Sequence, residues 1–424
     1  MSTRSRHLIT ISLAAVLALL AALAAFVWWG PITVSDKRVM LDFLLGRGIA
    51  PPSEATVAER LRAPPGFQVN VYSSEVPLAR VMVLTSAGDL IVSRTRGNLV
   101  SLLERDRDGD GTADGHRVLF DQLDGPHGLA LHDGWLYVAE RTAVGRARFD
   151  AASGQLAGPY ERILTGLTTD GFHQTKTIGF GPDGWLYLSQ GSSCNVCIEK
   201  DPRRATVMRL RADGSGAEIH ATGLRNSVGF DWAPWDDALY ATDNGRDLLG
   251  DDFPPDELNR IEAGRFYGWP YVHGFGAPDP EFGGRITGDA APTDPVHGFR
   301  PHNAPLGIRF LRSGHLPAGY ERTALVALHG SWNRTTPDGY KVVALRWRDD
   351  GSIEESDFLS GFLGPDGIIG RPAFVTEGAD GAIYVSDDYA GVIYRVAAPP
   401  ERRAAAAVGA PRPGCQTRRL ATAP

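Results

Sequence analysis

Five clusters of polar side chains in this 424-residue sequence have the types and spacing to do chemistry. In Phe172-His173-Gln174, the His173 imidazole suits a general base, because its proton affinity lies near neutral pH. A lone histidine is more often a hydrogen-bonded structural residue, so its neighbours in space decide. Arg225 and Asn226 are adjacent; the guanidinium fork recognises a carboxylate or phosphate with two prongs, and the amide suits a quinone or amide edge. Residues 242–261 surround Asn244 and Gly245 with six Asp and Glu side chains, hard oxygen donors of the kind Ca2+ prefers, or else a solvated acidic loop. Trp332 and Arg334 share a loop with His329, where an indole could stack on a planar ligand or simply pack. Arg371 stands alone ahead of a final apolar stretch. Separately, Asp106, Asp108, Asp110 and Asp114 occupy positions one, three, five and nine of an EF-hand-like loop with Gly111 at six. Arg117 replaces the usual bidentate Glu at twelve, so this reads as a structural Ca2+ loop and not a catalytic one.

Side chains spread from position 106 to position 371 must be gathered by the fold. A drifting pattern of Asp-Gly, an apolar residue and Leu-Tyr-Val recurs six times, at residues 87–92, 133–138, 183–188, 237–241, 322–327 and 380–385. Each copy is a tight turn feeding a short strand, and most precede a second apolar segment. One such sheet cannot bury both faces alone, whereas six arranged radially can, so the spacing predicts an all-β, six-bladed β-propeller over residues 65–396. Residues 67–75 are placed to pair with the last blade and close the ring. The Gly/Pro-rich segment 270–305 interrupts the spacing and predicts a lid over the central funnel, or an irregular surface insertion. Residues 36–48 predict a short helix within a linker or juxtamembrane segment, 30–64.

Arg4 and Arg6 precede an apolar run from residue 8 to residue 29, long enough for one transmembrane helix. Residues 1–29 are therefore expected to be a signal-anchor in preference to a cleaved signal peptide, since the only small-x-small site, Ala22-Leu23-Ala24, lies inside the run. Either way the body is exported to the periplasmic, extracytoplasmic side, and the anchor would hold it at the membrane. There a Cys-x-x-Cys pair with no second pair to complete a zinc site predicts a local Cys194–Cys197 disulfide. Residues 397–424, rich in Ala, Pro and Arg, predict a disordered tail. The net charge of −7, without a basic stripe, excludes nucleic acid as the natural partner.

Taken together, these residues resemble the quinoprotein sugar dehydrogenases: the soluble glucose and aldose dehydrogenases and, more closely, the sorbosone dehydrogenase-like proteins. The resemblance rests on Phe172-His173-Gln174 before GPDGWLY, SCNVC at 193–197, GLRN at 223–226, NGRD at 244–247 with DELN at 256–259, YGWPY at 267–271 and HGSWNR at 329–334. The motifs run in unbroken order through the propeller region. The resemblance implies a propeller that binds pyrroloquinoline quinone (PQQ) and Ca2+ in its funnel and oxidises a sugar or sugar-derived aldehyde. It implies His173 as the base taking the hydroxyl proton while hydride passes to the quinone, with Ca2+ polarising the quinone oxygen. Arg225 becomes the cation over the reacting oxygens; Gln174, Asn226, Asn244 and Trp332 become cofactor contacts, with Asn244 and Gly245 also serving the catalytic Ca2+. Arg371 and Arg334 would pair with PQQ carboxylates.

Three departures stand out. Ser192 follows Gly191 where the glucose branch has a carboxylate that orients the histidine, Arg246 replaces a proline, and the lysine over PQQ has no counterpart in residues 327–334. These fit the sorbosone-type branch better. Ile198 follows Cys197, so no c-type haem site is present and electrons must leave to a partner such as a quinone or cytochrome. Two other functions compete: a Ca2+-dependent lactone hydrolase, which needs carboxylates from several blades around the ion, and a non-catalytic propeller that binds a glycan or protein.

Overall fold

The computed structural model describes residue 18 and residues 37–286 and 291–398. The expected tail, beyond residue 398, and the apolar run 8–29, save residue 18, lie outside the described residues. Among the described residues no helix is long and apolar enough to cross a membrane.

All six repeat copies become the second strand of a sheet: Leu90–Arg94, Trp135–Ala139, Leu186–Gln190, Leu239–Asp243, Thr323–Leu328 and Ile383–Asp387. Each pairs antiparallel with the strand before it and the strand after it, giving six sheets, here blades one to six in chain order. Successive side chains on a strand point to opposite faces, so one strand serves two interfaces. In blade three Leu186 and Leu188 pack toward blade two, while Tyr187 packs toward blade four. Among the described residues the core is accordingly six inter-blade layers, each joining one blade to the next, with a small further cluster of Val228, Leu306 and Ala373. This is why the second strands are buried at nearly every position and show no alternation of apolar with polar residues.

The ring closes as the sequence implies: Gln68–Ser73 becomes the outer strand of blade six, with Val71 opposite Tyr394 on Val392–Ala397. Blade six is thereby completed as a four-stranded sheet from both ends of the propeller sequence.

The 270–305 segment is part blade and part surface ribbon. Part of it, His297–Phe299, is the outer strand of blade four. Val272–His273 and Ala277–Pro278 form a small ribbon, tied down where Arg246 donates twice to Asp279 (2.7 and 2.6 Å) and His273 Nε2 bonds the same carboxylate at 2.7 Å. A pair of donors on Asp279 holds the ribbon against blade four, where its Val272 and His273 border a small recess lined by Arg225, Asn244 and Gly245, while none of its residues lines the arginine-rich funnel cavity. The N-terminal segment reaches the funnel in its place. Its helix α1 (Lys37–Leu45) is followed by a strap whose Ile49 N–H bonds the Tyr389 carbonyl at 2.9 Å, and the Asp42 carboxylate accepts from the Tyr389 hydroxyl at 2.8 Å. Gly48 is required there, because a Cβ would lie 2.1 Å from the Tyr389 carbonyl oxygen. Helix α2 (Glu54–Arg60), capped by the Ser53 hydroxyl on the Thr56 N–H, buries Val57 against the layer between blades five and six.

Candidate functional site

Two loops per blade reach the same end of the ring: the connection entering the first strand, and the hairpin leaving the second. The entering connections carry Arg80, His127, His173 with Gln174, Arg225 with Asn226, Asn303, and Arg371; the hairpins carry Arg96, Arg141, Ser192, Asn244 with Gly245, His329, and Asp388. A periodic fold thus turns scattered sequence positions into one ring of side chains.

His173 sits in left-handed backbone (φ 47°), a conformation that costs a non-glycine residue on the order of 1 kcal/mol and recurs at functional sites. Its Nδ1 lies 3.0 Å from the Ser192 carbonyl oxygen and 2.9 Å from the Ser192 hydroxyl oxygen. That hydroxyl donates its own hydrogen to the Cys194 carbonyl at 2.7 Å, so it accepts from the ring. Both partners therefore require Nδ1–H, which leaves Nε2 as the proton-accepting nitrogen. Ser192 thus orients the His173 ring through two neutral acceptors. Burial lowers the His173 pKa well below the ordinary value, and Arg225 and then Arg204 add to the effect, so the ring is neutral at pH 7. Gly191 permits the packing: a Cβ there would meet Asn226 Oδ1 at 2.6 Å and His173 Cβ at 2.7 Å.

Arg225 is a buried hub. Its Nε and Nη2 donate to the carbonyl and side-chain oxygens of Asn195 (2.9 and 2.8 Å), Nη1 donates to the Asn244 carbonyl (3.1 Å), and Nη2 also meets Asp247 at 2.8 Å. Asn195 is the turn residue between the cysteines, which are joined as the sequence implies. The disulfide therefore pins the loop that anchors Arg225. Asp243, at the end of blade four's second strand, holds the backbone N–H groups of both Arg225 and Asn226 on its two carboxylate oxygens. In blade six Asp387 occupies the same place and takes the Arg371 N–H at 2.9 Å. The Asn244 amide nitrogen donates to the carbonyls of Asn226 (3.1 Å) and Pro305 (3.4 Å), which leaves its Oδ1 as the end able to meet a cation.

Loops of blades one, two, three, five and six enclose a funnel cavity of about 580 Å³, lined among others by Gln174, His329, Arg371, Asp388, Arg96 and Arg141. Arg371 is buried, its guanidinium donating to the carbonyls of His329 (3.0 Å) and Gly330 (2.8 Å) and lying over the Tyr340 ring. Gln174 is fixed through Nε2 on the Thr169 and Gly171 carbonyls. Asp388 joins His329 Nε2 (2.8 Å) to Arg80 (2.6 Å). Burial and Arg371 bring the His329 pKa down to about 4 in spite of that carboxylate.

Several expected site residues lie elsewhere. Arg334 donates to the carbonyls of Asp251 and Pro301 and so ties two outer loops together, away from the cavity lining. Trp332 is half-buried in the same loop and does not line the cavity either. The acidic run is not a cage: Asp243 and Asp256 hold backbone N–H groups, Asp247 holds Arg225, and Asp251 holds Thr335. Among the described residues the grouped carboxylates are Asp106, Asp108 and Asp114; Asp110 turns away to Thr112, because its side chain closes the local turn. Arg80, Arg96, Arg141 and Asp388 escaped sequence reading. Their signal is positional, since each stands in the same repeat slot as His173, Arg225, Asn244 or Arg371 in another blade.

A six-bladed propeller with a cationic funnel and an oriented, neutral histidine at one end defines the class. The chain belongs to the glucose/sorbosone dehydrogenase family, whose match covers residues 81–395. Over 215 residues it is 37% identical to an uncharacterized protein of Borreliella burgdorferi, covering 50% of this chain and 56% of that one. Over 221 residues it is 24% identical to the aldose sugar dehydrogenase YliI of Escherichia coli, covering 46% and 57%. These alignments span little more than half the length of the curated relatives. Among solved structures, the holo form of the PQQ domain of Coprinopsis cinerea pyranose dehydrogenase superposes with a TM-score of 0.67 at 20% identity, over 82% of this chain and 98% of that one. The Trichoderma reesei enzyme of carbohydrate-active family AA12 superposes with a TM-score of 0.69 at 22% identity, over 80% and 98%. At these identities the likeness is one of fold.

Proposed function

We propose that the chain is a PQQ-dependent dehydrogenase of sugars or sugar-derived aldehydes, of the sorbosone and aldose type, in which His173 is the general base. The observation that carries this is the His173–Ser192 pairing, which leaves Nε2 unprotonated in a site whose nearby cations are Arg225 and Arg204. The donor set fits the cofactor: Arg371 keeps N–H donors for a planar, carboxylate-rich ligand, Gln174, whose Nε2 is spent on two carbonyls, offers its Oε1 as an acceptor, and Asn226 offers an amide. It also fits a hard cation, since Asn244 Oδ1 and the Gly245 carbonyl are oxygen donors and the neighbouring Arg246 charge is turned onto Asp279. PQQ, when bound, supplies the hydride acceptor, and Ca2+ the polarising charge.

The protein's own part is to position the sugar and manage one proton. A hydroxyl hydrogen-bonded to His173 Nε2 loses its proton to that nitrogen as the bond to hydrogen at the same carbon breaks. The imidazolium then keeps its Nδ1–H on Ser192, a neutral acceptor, beside the Arg225 charge. The protonated form is therefore less stabilised than with a carboxylate partner, and the base is correspondingly weaker. The lactone-hydrolase alternative needs carboxylates free to cage an ion, and in this ring Asp243, Asp387 and Asp388 are engaged by N–H groups, Arg80 and His329. Export, anchoring through residues 8–29 and electron delivery to a membrane quinone or a cytochrome complete the proposal, supported by the apolar run, its flanking arginines and the lack of a haem motif.

The test is an optical titration of the apo-protein with PQQ and Ca2+, followed by dye reduction with aldoses, sorbosone and alcohols. Stoichiometric binding, lost with chelator, and sugar-dependent reduction abolished in His173→Ala are expected. Absence of binding at micromolar PQQ with Ca2+ present would overturn the proposal.

A further inference from the structure

The funnel cavity carries more positive charge than the proposed cofactor needs. Five arginines line it, Arg47, Arg80, Arg96, Arg141 and Arg371, against one lining carboxylate, Asp388. PQQ brings three carboxylates, but its Ca2+ returns two positive charges, so the loaded cofactor offsets only one of the four in excess. Asp124 holds Arg141 through Nε at 2.9 Å and Asp42 stands behind the strap; counting both still leaves the loaded site cationic. The arginines not used for PQQ also cluster. Arg80 and Arg96 come from blade one, Arg141 from blade two, and Arg47 from the strap that follows α1.

Their geometry is that of a built pocket. Arg80 is fixed by Asp388 at 2.6 Å through Nη1 and Arg141 by Asp124 through Nε and Nη2, arrangements that engage part of each guanidinium. The strap lies close over Arg96, since a Cβ at Gly46 would be 3.7 Å from Arg96 Nη1. Beside it Thr95 lines the same cavity with a buried hydroxyl that has no hydrogen-bond partner. A hydroxyl left unsatisfied at the wall of a cavity that arginines line is a place for a ligand oxygen.

Resting on the dehydrogenase reading, we infer that the substrate is an anionic sugar, bearing a carboxylate or phosphate group that is received by Arg47, Arg80, Arg96 and Arg141 beside the Thr95 hydroxyl. The strap is then part of the specificity pocket, contributing Arg47 from outside the propeller.

Kinetics of the PQQ-loaded protein with glucuronate, glucose 6-phosphate and glucose, together with calorimetric titration of the apo-protein by the same three sugars, test this. A KM for glucuronate or glucose 6-phosphate at least tenfold below that for glucose is expected, rising at least fivefold in Arg96→Gln and in Arg47→Gln. The PQQ titration midpoint should be unchanged in both variants. Preference for glucuronate assigns a carboxylate, and preference for the phosphate ester assigns a phosphate. Equal KM for glucose and the charged sugars, or variants that leave the charged-sugar KM unmoved while PQQ still binds, would overturn the inference and leave the dehydrogenase standing. Should PQQ fail to bind, the dehydrogenase reading falls by itself. Calorimetry of the apo-protein then decides the anion pocket: binding of a charged sugar that Arg96→Gln abolishes supports it, and no such binding overturns it.

Discussion

Replacing Asn195 by alanine tests how the disulfide loop serves the site. The Asn195 side chain makes three hydrogen bonds: Oδ1 accepts from Arg225 Nη2 (2.8 Å) and from the Asp247 N–H (2.9 Å), and Nδ2 donates to the Asp247 carbonyl (3.1 Å). A bond to a charged group contributes about 1.5–3 kcal/mol and each neutral one about 0.5–1.5, giving an upper range of roughly 2.5–6 kcal/mol for complete loss. Arg225 keeps Asp247 and the carbonyls of Asn195 and Asn244, and the half-buried position admits water, so a loss of about 2–3 kcal/mol is expected. Urea unfolding reads that loss, and hydrogen exchange localises it, because the Asp247 amide should exchange faster than in the parent while strand amides of blades one and two do not. PQQ affinity should fall with it, at least tenfold, through the looser Arg225. Parent-like exchange at Asp247 together with parent-like PQQ affinity would refute the claim that this loop positions Arg225.

Other perturbations follow from the same contacts. Ser192→Ala removes one neutral acceptor from His173 but leaves the Ser192 carbonyl position, so kcat should drop about fivefold, equivalent to about 1 kcal/mol, with no shift in the pH profile; a profile displaced by a whole pH unit would contradict a neutral orienting role. Gly191→Ala drives a methyl into His173 and Asn226 and should abolish sugar oxidation while circular dichroism stays that of the parent; full activity would show that the close approach is dispensable. Stability against pH should be nearly level from pH 7 to about 4.5 and fall steeply below 4. His127 (about 3), His329 (about 4) and His173 are neutral in the fold, so their stability is present above pH 6.5 and lost as pH falls. Asp387 and Glu257 (each about 7) and Asp256 (about 6) are raised by burial; their stability is present at low pH and lost as pH rises from about 4 to 7, which offsets the histidines in that window. Below pH 4 that offset is exhausted, and Asp388, held low by His329 and Arg80 against burial, adds to the loss. A stability maximum at pH 4 in denaturant titrations would contradict this balance.

Much of the architecture was legible because it repeats. A tight turn followed by a short apolar strand is local chemistry, and six copies at similar spacing allow only a few closed arrangements. The strand at residues 68–73 could be assigned to the ring from its order in the chain alone. The 270–305 segment stayed open between lid and surface insertion because Gly and Pro mark irregular backbone without saying where it lies; the Arg246–Asp279–His273 knot, which pins it to blade four, depends on Arg246, 33 residues before Asp279. Arg334 misled for the converse reason, since an arginine beside Trp332 in a site-like loop has the right type but is claimed by carbonyls of two other loops.

The sequence by itself determined the propeller, the identity of the candidate base, the adjacency of Arg225 and Asn226 and the cysteine pair, because each depends on residue type at short spacing. Tertiary structure alone decided that Ser192 fixes the His173 tautomer, that Arg225 is anchored by the disulfide loop, and that arginines from blades one, two and six and from the α1 strap face one cavity. Those outcomes depend on which loops a closed ring brings together, and the distances that set proton position and electrostatic potential exist only once the ring has closed.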